Sequence, residues 1–239
     1  MYQNLSIVYD RIMDVDYDKY KNIIKQELMD SNNLLILDLG CGSGALTEYL
    51  ATYGQVFAVD KSEEMLALAS IKFSKANYIA LDLLEIQLLS KKFDFIISAF
   101  DVFNYLENFK EFTLALENVY VVLKKGGKFI FDIHTPSKID ELLNEQPFAY
   151  EDEEISYLWF TYPTENKLEV ESEITFFVKE KDNLYKKIYE YQKQRTYNID
   201  KIIEKILEIG FKIKTYFCDF EFANRDYQNS KRLIFVLEK

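Results

Sequence analysis

Leu34-Leu35-Ile36-Leu37-Asp38-Leu39-Gly40-Cys41-Gly42-Ser43-Gly44-Ala45 decides how the rest of the chain is read. The run Leu34–Leu39, apolar but for Asp38, has the texture of a strand buried on both faces. Glycines at 40, 42 and 44 then permit a tight turn and close approach of a ligand to the backbone. A helical pattern from Ala45 to Thr52 follows, whose N-terminus would offer unpaired N–H groups to an anion.

Outward from this unit the alternation continues. An amphipathic helix over 16–29 precedes it. After it come strand Gln55–Val59, helix Ser62–Ser74, strands Asn77–Leu81 and Phe93–Phe100, helix Asn108–Leu123 and strand Lys128–Ile133. Strands alternating with helices predict βαβ units and a parallel sheet covered on both faces. Lys124-Lys125-Gly126-Gly127 reads as a helix end with cations near its carboxyl terminus and glycine at the cap. Thr135-Pro136 reads as the start of the next helix.

After Pro147 the texture changes to a period of two. Leu168, Val170, Ser172, Ile174, Phe176 and Val178 share one face, and Glu169, Glu171, Glu173 and Thr175 the other. Such alternation marks half-exposed antiparallel strands. With polar turns at Asn166-Lys167 and Lys181-Asp182-Asn183, three strands of a meander are expected. Helix Ile199–Ile209, capped by Gly210, and an antiparallel pair, Phe211–Phe220 with Arg232–Leu237, complete the chain. The expected architecture is an α/β doubly wound core (1–147 and 198–239) carrying an inserted antiparallel lobe (148–197).

Forty acidic against 29 basic residues leave a net charge of −11, a field that would repel nucleic acids and anionic membranes. The same field suits solubility or a cationic substrate. No uncharged apolar run approaches the roughly 18 residues of a membrane span. Met1-Tyr2-Gln3-Asn4 opens no signal-peptide pattern, and Cys41 and Cys218 are too few for a disulfide framework, so a reducing cytoplasm is expected.

Two ligands fit the glycine loop. Asp60, eighteen residues past Gly42 and closing a strand near the surface, can accept hydrogen bonds from ribose hydroxyls. Gly40-x-Gly42-x-x-Ala45 also satisfies a dinucleotide fingerprint, so an NAD-dependent oxidoreductase is the alternative. Three features oppose it. Asp38 would face a pyrophosphate, Asp82 after the third strand could meet an adenine amino group, and the chain ends in an antiparallel pair.

The loop at 38–44, Asp60, Asp82-Leu83, Phe93-Asp94-Phe95-Ile96-Ile97-Ser98 and Leu123-Lys124-Lys125-Gly126-Gly127 together resemble the class I S-adenosylmethionine-dependent methyltransferase family over about 34–135 and 198–239. The resemblance implies a Rossmann-like seven-stranded sheet of order 3-2-1-4-5-7-6, strand 7 antiparallel. It implies S-adenosyl-L-methionine as cofactor, with Gly40, Gly42 and Gly44 along the methionine moiety and Asp38 and Cys41 beside them. Asp60 would meet the ribose and Asp82 with Leu83 the adenine, Met65 packing against it; Lys61 and Ala99 complete the implied contacts. More loosely, the chain resembles the branch that methylates small molecules, including amino-sugar N-methyltransferases. There a Tyr-Asp pair, here Tyr9-Asp10, precedes the first helix and a lobe covers the pocket. The expected reaction is methyl transfer to N or O of a small-molecule acceptor.

Acceptor-side candidates lie after the fourth and fifth strands. Asp101, Asn104 and Tyr105 follow the fourth; in related sugar methyltransferases a histidine stands near the place of Tyr105. A tyrosine is a better positioning donor than a base. His134, the chain's sole histidine, ends the fifth strand as a candidate base. Asp132 and His134 share a face, but no third ligand is evident for a metal. No Asn/Asp-Pro-Pro-Tyr or Pro-Cys motif points to a nucleic-acid base. In the lobe, Tyr185, Lys187, Tyr189, Tyr191, Lys193 and Arg195 alternate onto one face, expected to roof the acceptor with Tyr191 stacking and Arg195 holding an anionic group.

Overall fold

A computed structural model describes residues 17–180 and 184–239. Helix α1 (Tyr17–Leu28) leads into β1 (Leu34–Leu39), the single-turn helix α2 (Thr47–Leu50), β2 (Gly54–Asp60), α3 (Glu63–Lys72) and β3 (Asn77–Ala80). A 3-10 segment (Leu83–Leu89) precedes β4 (Phe93–Ser98); a second (Val102–Tyr105) precedes α4 (Phe109–Val122), β5 (Leu123–His134) and α5 (Pro136–Asn144). Strands β6 (Phe148–Glu151), β7 (Ile155–Pro163), β8 (Glu169–Lys179) and β9 (Tyr185–Arg195) follow, then α6 (Ile199–Ile209), β10 (Lys212–Cys218) and β11 (Arg232–Glu238).

The main sheet has the order β3-β2-β1-β4-β5-β11-β10, parallel except for β11, which runs antiparallel to both β5 and β10. With β10 and β11 as sixth and seventh core strands, this is the expected 3-2-1-4-5-7-6. Its strands are apolar throughout because both faces are covered. Ile36, Phe95 and Ile97 pack with Tyr20, Ile23 and Ile24 of α1, while Leu37, Leu39 and Ile96 join Phe112, Leu116 and Ile202 of α4 and α6 on the opposite side. Strands β1 and β2 approach so closely that a Cβ on Gly54 would lie 2.0 Å from the Leu34 carbonyl oxygen.

Three local expectations are corrected. The helix after the glycine loop is one turn rather than Ala45–Thr52, so it presents no developed anion-binding terminus. Lys124-Lys125-Gly126-Gly127 is not a helix cap. Leu123 is already extended and pairs with Phe93, Lys124 reaches back to Asp94 at 2.8 Å, and Gly126 (φ +74°) donates its N–H to the Lys239 carbonyl. Strand β4 stops at Ser98 because Phe100 and Asp101 both adopt left-handed conformations, φ +67° and +55°.

Strands β6–β9 form a separate antiparallel sheet of four strands, not three. The addition is β6, whose four residues are too short to show a period. The expected turn at 181–183 lies outside the described residues, as does Tyr9.

Candidate active site

The ends of β1, β2, β4 and β5 converge on one cavity of about 870 Å³, walled on the far side by the lobe. The glycine loop forms its floor. Gly40 (φ +72°) donates to the Val59 carbonyl and packs so tightly that a Cβ would come 2.5 Å from a Val102 methyl. Gly42 (φ +53°) donates to Asp60 at 2.8 Å with Met65 beneath it; Gly44 (φ +77°) lets α3 approach, Ala69 lying 2.9 Å from where its Cβ would be. Cys41 lines the cavity, and burial pushes its thiol well above the usual range.

Three aspartates ring the floor and a fourth stands across from them. Asp38 is buried and accepts a hydrogen bond from the Thr47 hydroxyl at 2.7 Å. Burial raises its pKa to about 7; the Thr47 bond opposes the rise and the nearby Asp60 charge adds to it. Asp60 is not the free surface carboxylate expected from its strand end: it accepts the N–H groups of Gly42 (2.8 Å) and Ser62 (2.9 Å), and burial raises its pKa despite them. Asp82 caps the first 3-10 segment through Leu84 N–H and is paired with Lys61 at 2.7 Å, with Leu83 beside it. The fourth, Asp101, stands across the cavity near Ala99.

Asp101 belongs to a charged cluster. Both oxygens of fully buried Asp132 accept backbone N–H groups, from Phe100 at 2.7 Å and from Asp101 at 3.0 Å, which fixes the two left-handed residues. Consecutive non-glycine residues in this region store strain of about 1–3 kcal/mol each, and such strain concentrates at functional sites. Tyr20 donates to Asp132, and Arg232 bridges Asp132 and Asp101, the latter at 2.9 Å. His134 Nε2 lies 3.6 Å from Asp101, and its Nδ1 is buried with no partner among the described residues.

The lobe closes the opposite wall with Tyr157, Trp159, Ile174 and Phe176. From β9, Gln194 donates to Asp101 at 2.7 Å and Gln192 accepts from the Tyr105 hydroxyl at 3.2 Å. The expected face of β9 is therefore the wrong one. Tyr191 is 46% exposed on the outer face, and Arg195 turns away from the cavity to pair with Glu169 at 2.7 Å. Asn104 is also displaced from the expected role: it is buried, donates to the Arg195 carbonyl at 2.6 Å and accepts from His134 N–H at 3.0 Å, bracing the lobe on the core.

This donor set suits a ligand rich in N–H and O–H groups and carrying positive charge; a pyrophosphate would meet Asp38 and Asp60. The methyltransferase-domain family matches residues 37–131. A provisionally named methyltransferase of Geobacillus sp. (strain WCH70) is 32% identical, the alignment covering 100% of this chain and 99% of that protein. The similarly named YqeM of Bacillus subtilis (strain 168) is also 32% identical, covering 100% and 97%. The chain belongs to the class I S-adenosylmethionine-dependent methyltransferases. A solved S-adenosylmethionine-dependent methyltransferase from Clostridium acetobutylicum ATCC 824 superposes with a TM-score of 0.87 at 29% identity, over 99% of this chain and 98% of that one. The sugar N-methyltransferase KedS8 from Streptoalloteichus sp ATCC 53650 shares the fold at a TM-score of 0.75 and 14% identity, over 100% and 93%.

The cofactor of this methyltransferase is accordingly S-adenosyl-L-methionine, and the oxidoreductase alternative is set aside. No described helix is long and apolar enough to cross a membrane. Residues that the sequence reading missed are Tyr157, Trp159, Phe176, Gln192, Gln194 and Arg232. Period-two alternation separated the two faces of the lobe and marked the apolar face of β8 that turns inward, but in β9, polar on both faces, it carried no sign of which face does. Arg232, a cation opening an otherwise apolar strand, was the one signal available for the charged cluster.

Proposed function

We propose that the protein methylates nitrogen or oxygen on a small molecule held between the lobe and the ends of β4 and β5. The supporting observation is that one cavity runs continuously from the glycine loop to Trp159 and Phe176; about 300–1,000 Å³ is the usual range for small-molecule sites. The cofactor supplies an already activated methyl group, so the chain's task is alignment and exclusion of water. In this reading Gly40, Gly42, Gly44, Cys41 and Ala99 shape the methionine end, with Asp38 pairing its ammonium. Asp60 accepts the ribose hydroxyls. Asp82, oriented by Lys61, meets the adenine with Leu83 and Met65; Tyr9 is proposed from the sequence alone. Tyr105, tied to Gln192, positions the acceptor, and His134 is the candidate base for its proton.

Asp38 gives this reading a pH signature. Its folded pKa is raised, so the stability it contributes is full below about pH 4 and is lost as pH rises through about 7. Pairing with an ammonium requires the ionised form. S-adenosylhomocysteine affinity should therefore rise up to about tenfold per unit below pH 7 and level off above it, while the ligand-free melting temperature falls over the same range. Calorimetry and melting from pH 5.5 to 8.5 check both; parallel trends would remove Asp38 from the ammonium site.

The acceptor assignment is tested by incubating enzyme and deuteromethyl-labelled cofactor with a pool of small metabolites and searching by mass spectrometry for labelled products. Trp159→Ala should abolish product formation while leaving S-adenosylhomocysteine affinity unchanged. Label appearing only on protein or nucleic acid would refute a small-molecule acceptor.

A further inference from the structure

Around the cavity, every lining lysine and arginine among the described residues is already committed to a carboxylate. Lys61 pairs with Asp82, Lys138 with Glu141, and Arg232 with Asp101 and Asp132. No lysine or arginine there is left to receive an anionic acceptor, and Arg195, expected to do so, pairs with Glu169 on the outer face, as does Lys193. The acidic side of the lining runs the other way. Asp101 and Asp132 are two carboxylates on the single guanidinium of Arg232, with His134 Nε2 3.6 Å from Asp101. Asp132 is fully buried behind the sheet end, whereas Asp101 lines the cavity. Glu107 and Glu111 line the same cavity and add to its negative field.

Three devices aim and hold the Asp101 carboxylate: the left-handed turn clamped by Asp132, the Arg232 bridge, and the Gln194 amide reaching across from the lobe. Burial opposes its ionisation, but the charges of His134 and Arg232 outweigh that and hold it well below the usual carboxylate range. The aromatic side chains of Tyr157, Trp159 and Phe176 line the same cavity, and aromatic rings favour positive charge over their faces.

Resting on the methyltransferase reading, we propose that Asp101 stabilises the positive charge that arrives on the acceptor atom during transfer, and that the acceptor end selects neutral or cationic molecules and rejects anions. The bond that forms joins the acceptor atom to the methyl carbon. The bond that breaks is the one from that carbon to sulfur, whose electron pair stays on sulfur. Formal positive charge thus passes to the acceptor atom, whose proton is afterwards taken by His134, the candidate base in the same cavity. A fixed carboxylate facing that atom acts where the charge develops and needs no reorganisation.

The test reads binding, not turnover. Trp159 is the only tryptophan of the chain and lies in the cavity wall, so its fluorescence reports occupancy there. With S-adenosylhomocysteine saturating, three probes of one shape are titrated: choline, uncharged 3,3-dimethylbutanol and anionic 3,3-dimethylbutanoate. Choline should bind at least about tenfold more tightly than the alcohol, and the carboxylate should not bind. In Asp101→Asn, whose S-adenosylhomocysteine affinity should be unchanged, the preference should shrink to within about threefold. Equal binding of choline and the alcohol, binding of the anion, or a preference that survives Asp101→Asn would overturn the assignment. The wild-type ranking decides the selectivity even if Asp101→Asn does not fold. Failure of S-adenosylhomocysteine itself to bind is seen before any probe is added, and strikes the underlying reading instead.

Discussion

Replacing Arg232 by alanine is expected to lower the free energy of unfolding by about 3–5 kcal/mol, the scale for removing one partner of a buried ion pair. The magnitude follows from what stays behind. Asp132 has no exposure to solvent, and its remaining partners are the Tyr20 hydroxyl and the N–H groups of Phe100 and Asp101, none carrying a positive charge. Most of the cost is therefore an uncompensated carboxylate rather than a lost contact, and the remedy is to remove its charge too. Arg232→Ala combined with Asp132→Asn should recover part of the loss, a positive coupling of about 1–3 kcal/mol in a double-mutant cycle. Urea unfolding followed by two probes, to establish two-state behaviour, measures both. A single-variant loss below about 1 kcal/mol would mean that solvent, not Arg232, compensates Asp132.

The second large effect concerns Asp60. Asp60→Ala should weaken S-adenosylhomocysteine binding by about 2–3 kcal/mol, the loss of two charge-assisted hydrogen bonds, or roughly 30- to 150-fold in Kd. The ligand-free protein should suffer as well, by about 1–3 kcal/mol, because Gly42 and Ser62 lose the acceptor for their N–H groups. Asp60→Asn separates the two roles, since an amide oxygen can still accept one of those N–H groups. Its ligand-free stability should lie near wild type while binding remains weakened. A Kd for Asp60→Ala within about twofold of wild type would take the residue out of the cofactor site.

Much of the core was legible in sequence because parallel strands buried on both faces leave an unmistakable texture. Leu34–Leu39 read as a strand and Ile199–Ile209 with Gly210 as a capped helix, each where the structure has it, and Phe93–Phe100 as a strand that the structure ends two residues earlier, at Ser98. The glycine loop and its acids were legible for the same reason: φ above zero at Gly40 and Gly42 is a local demand that only sequence can meet. The acceptor side was less so. There the deciding contacts join residues far apart in the chain, Arg232 to Asp101 and Gln194 to Asp101, and no local pattern encodes them. In β9 the alternation was real, but both faces are rich in polar groups. Glu190, Gln192 and Gln194 turn inward although tyrosines are available on the other side. Burial of a polar stripe against a cavity is a tertiary choice, invisible to periodicity.

Calorimetric titration of the wild-type chain with S-adenosylhomocysteine, and separately with NAD, tests the central claim most directly: that the glycine loop and its ring of carboxylates form a site for a cationic nucleoside cofactor. The account predicts saturable heat from S-adenosylhomocysteine, weakened in Asp60→Ala, and none from NAD. Heat from NAD alone, or S-adenosylhomocysteine binding indifferent to Asp60, would contradict it.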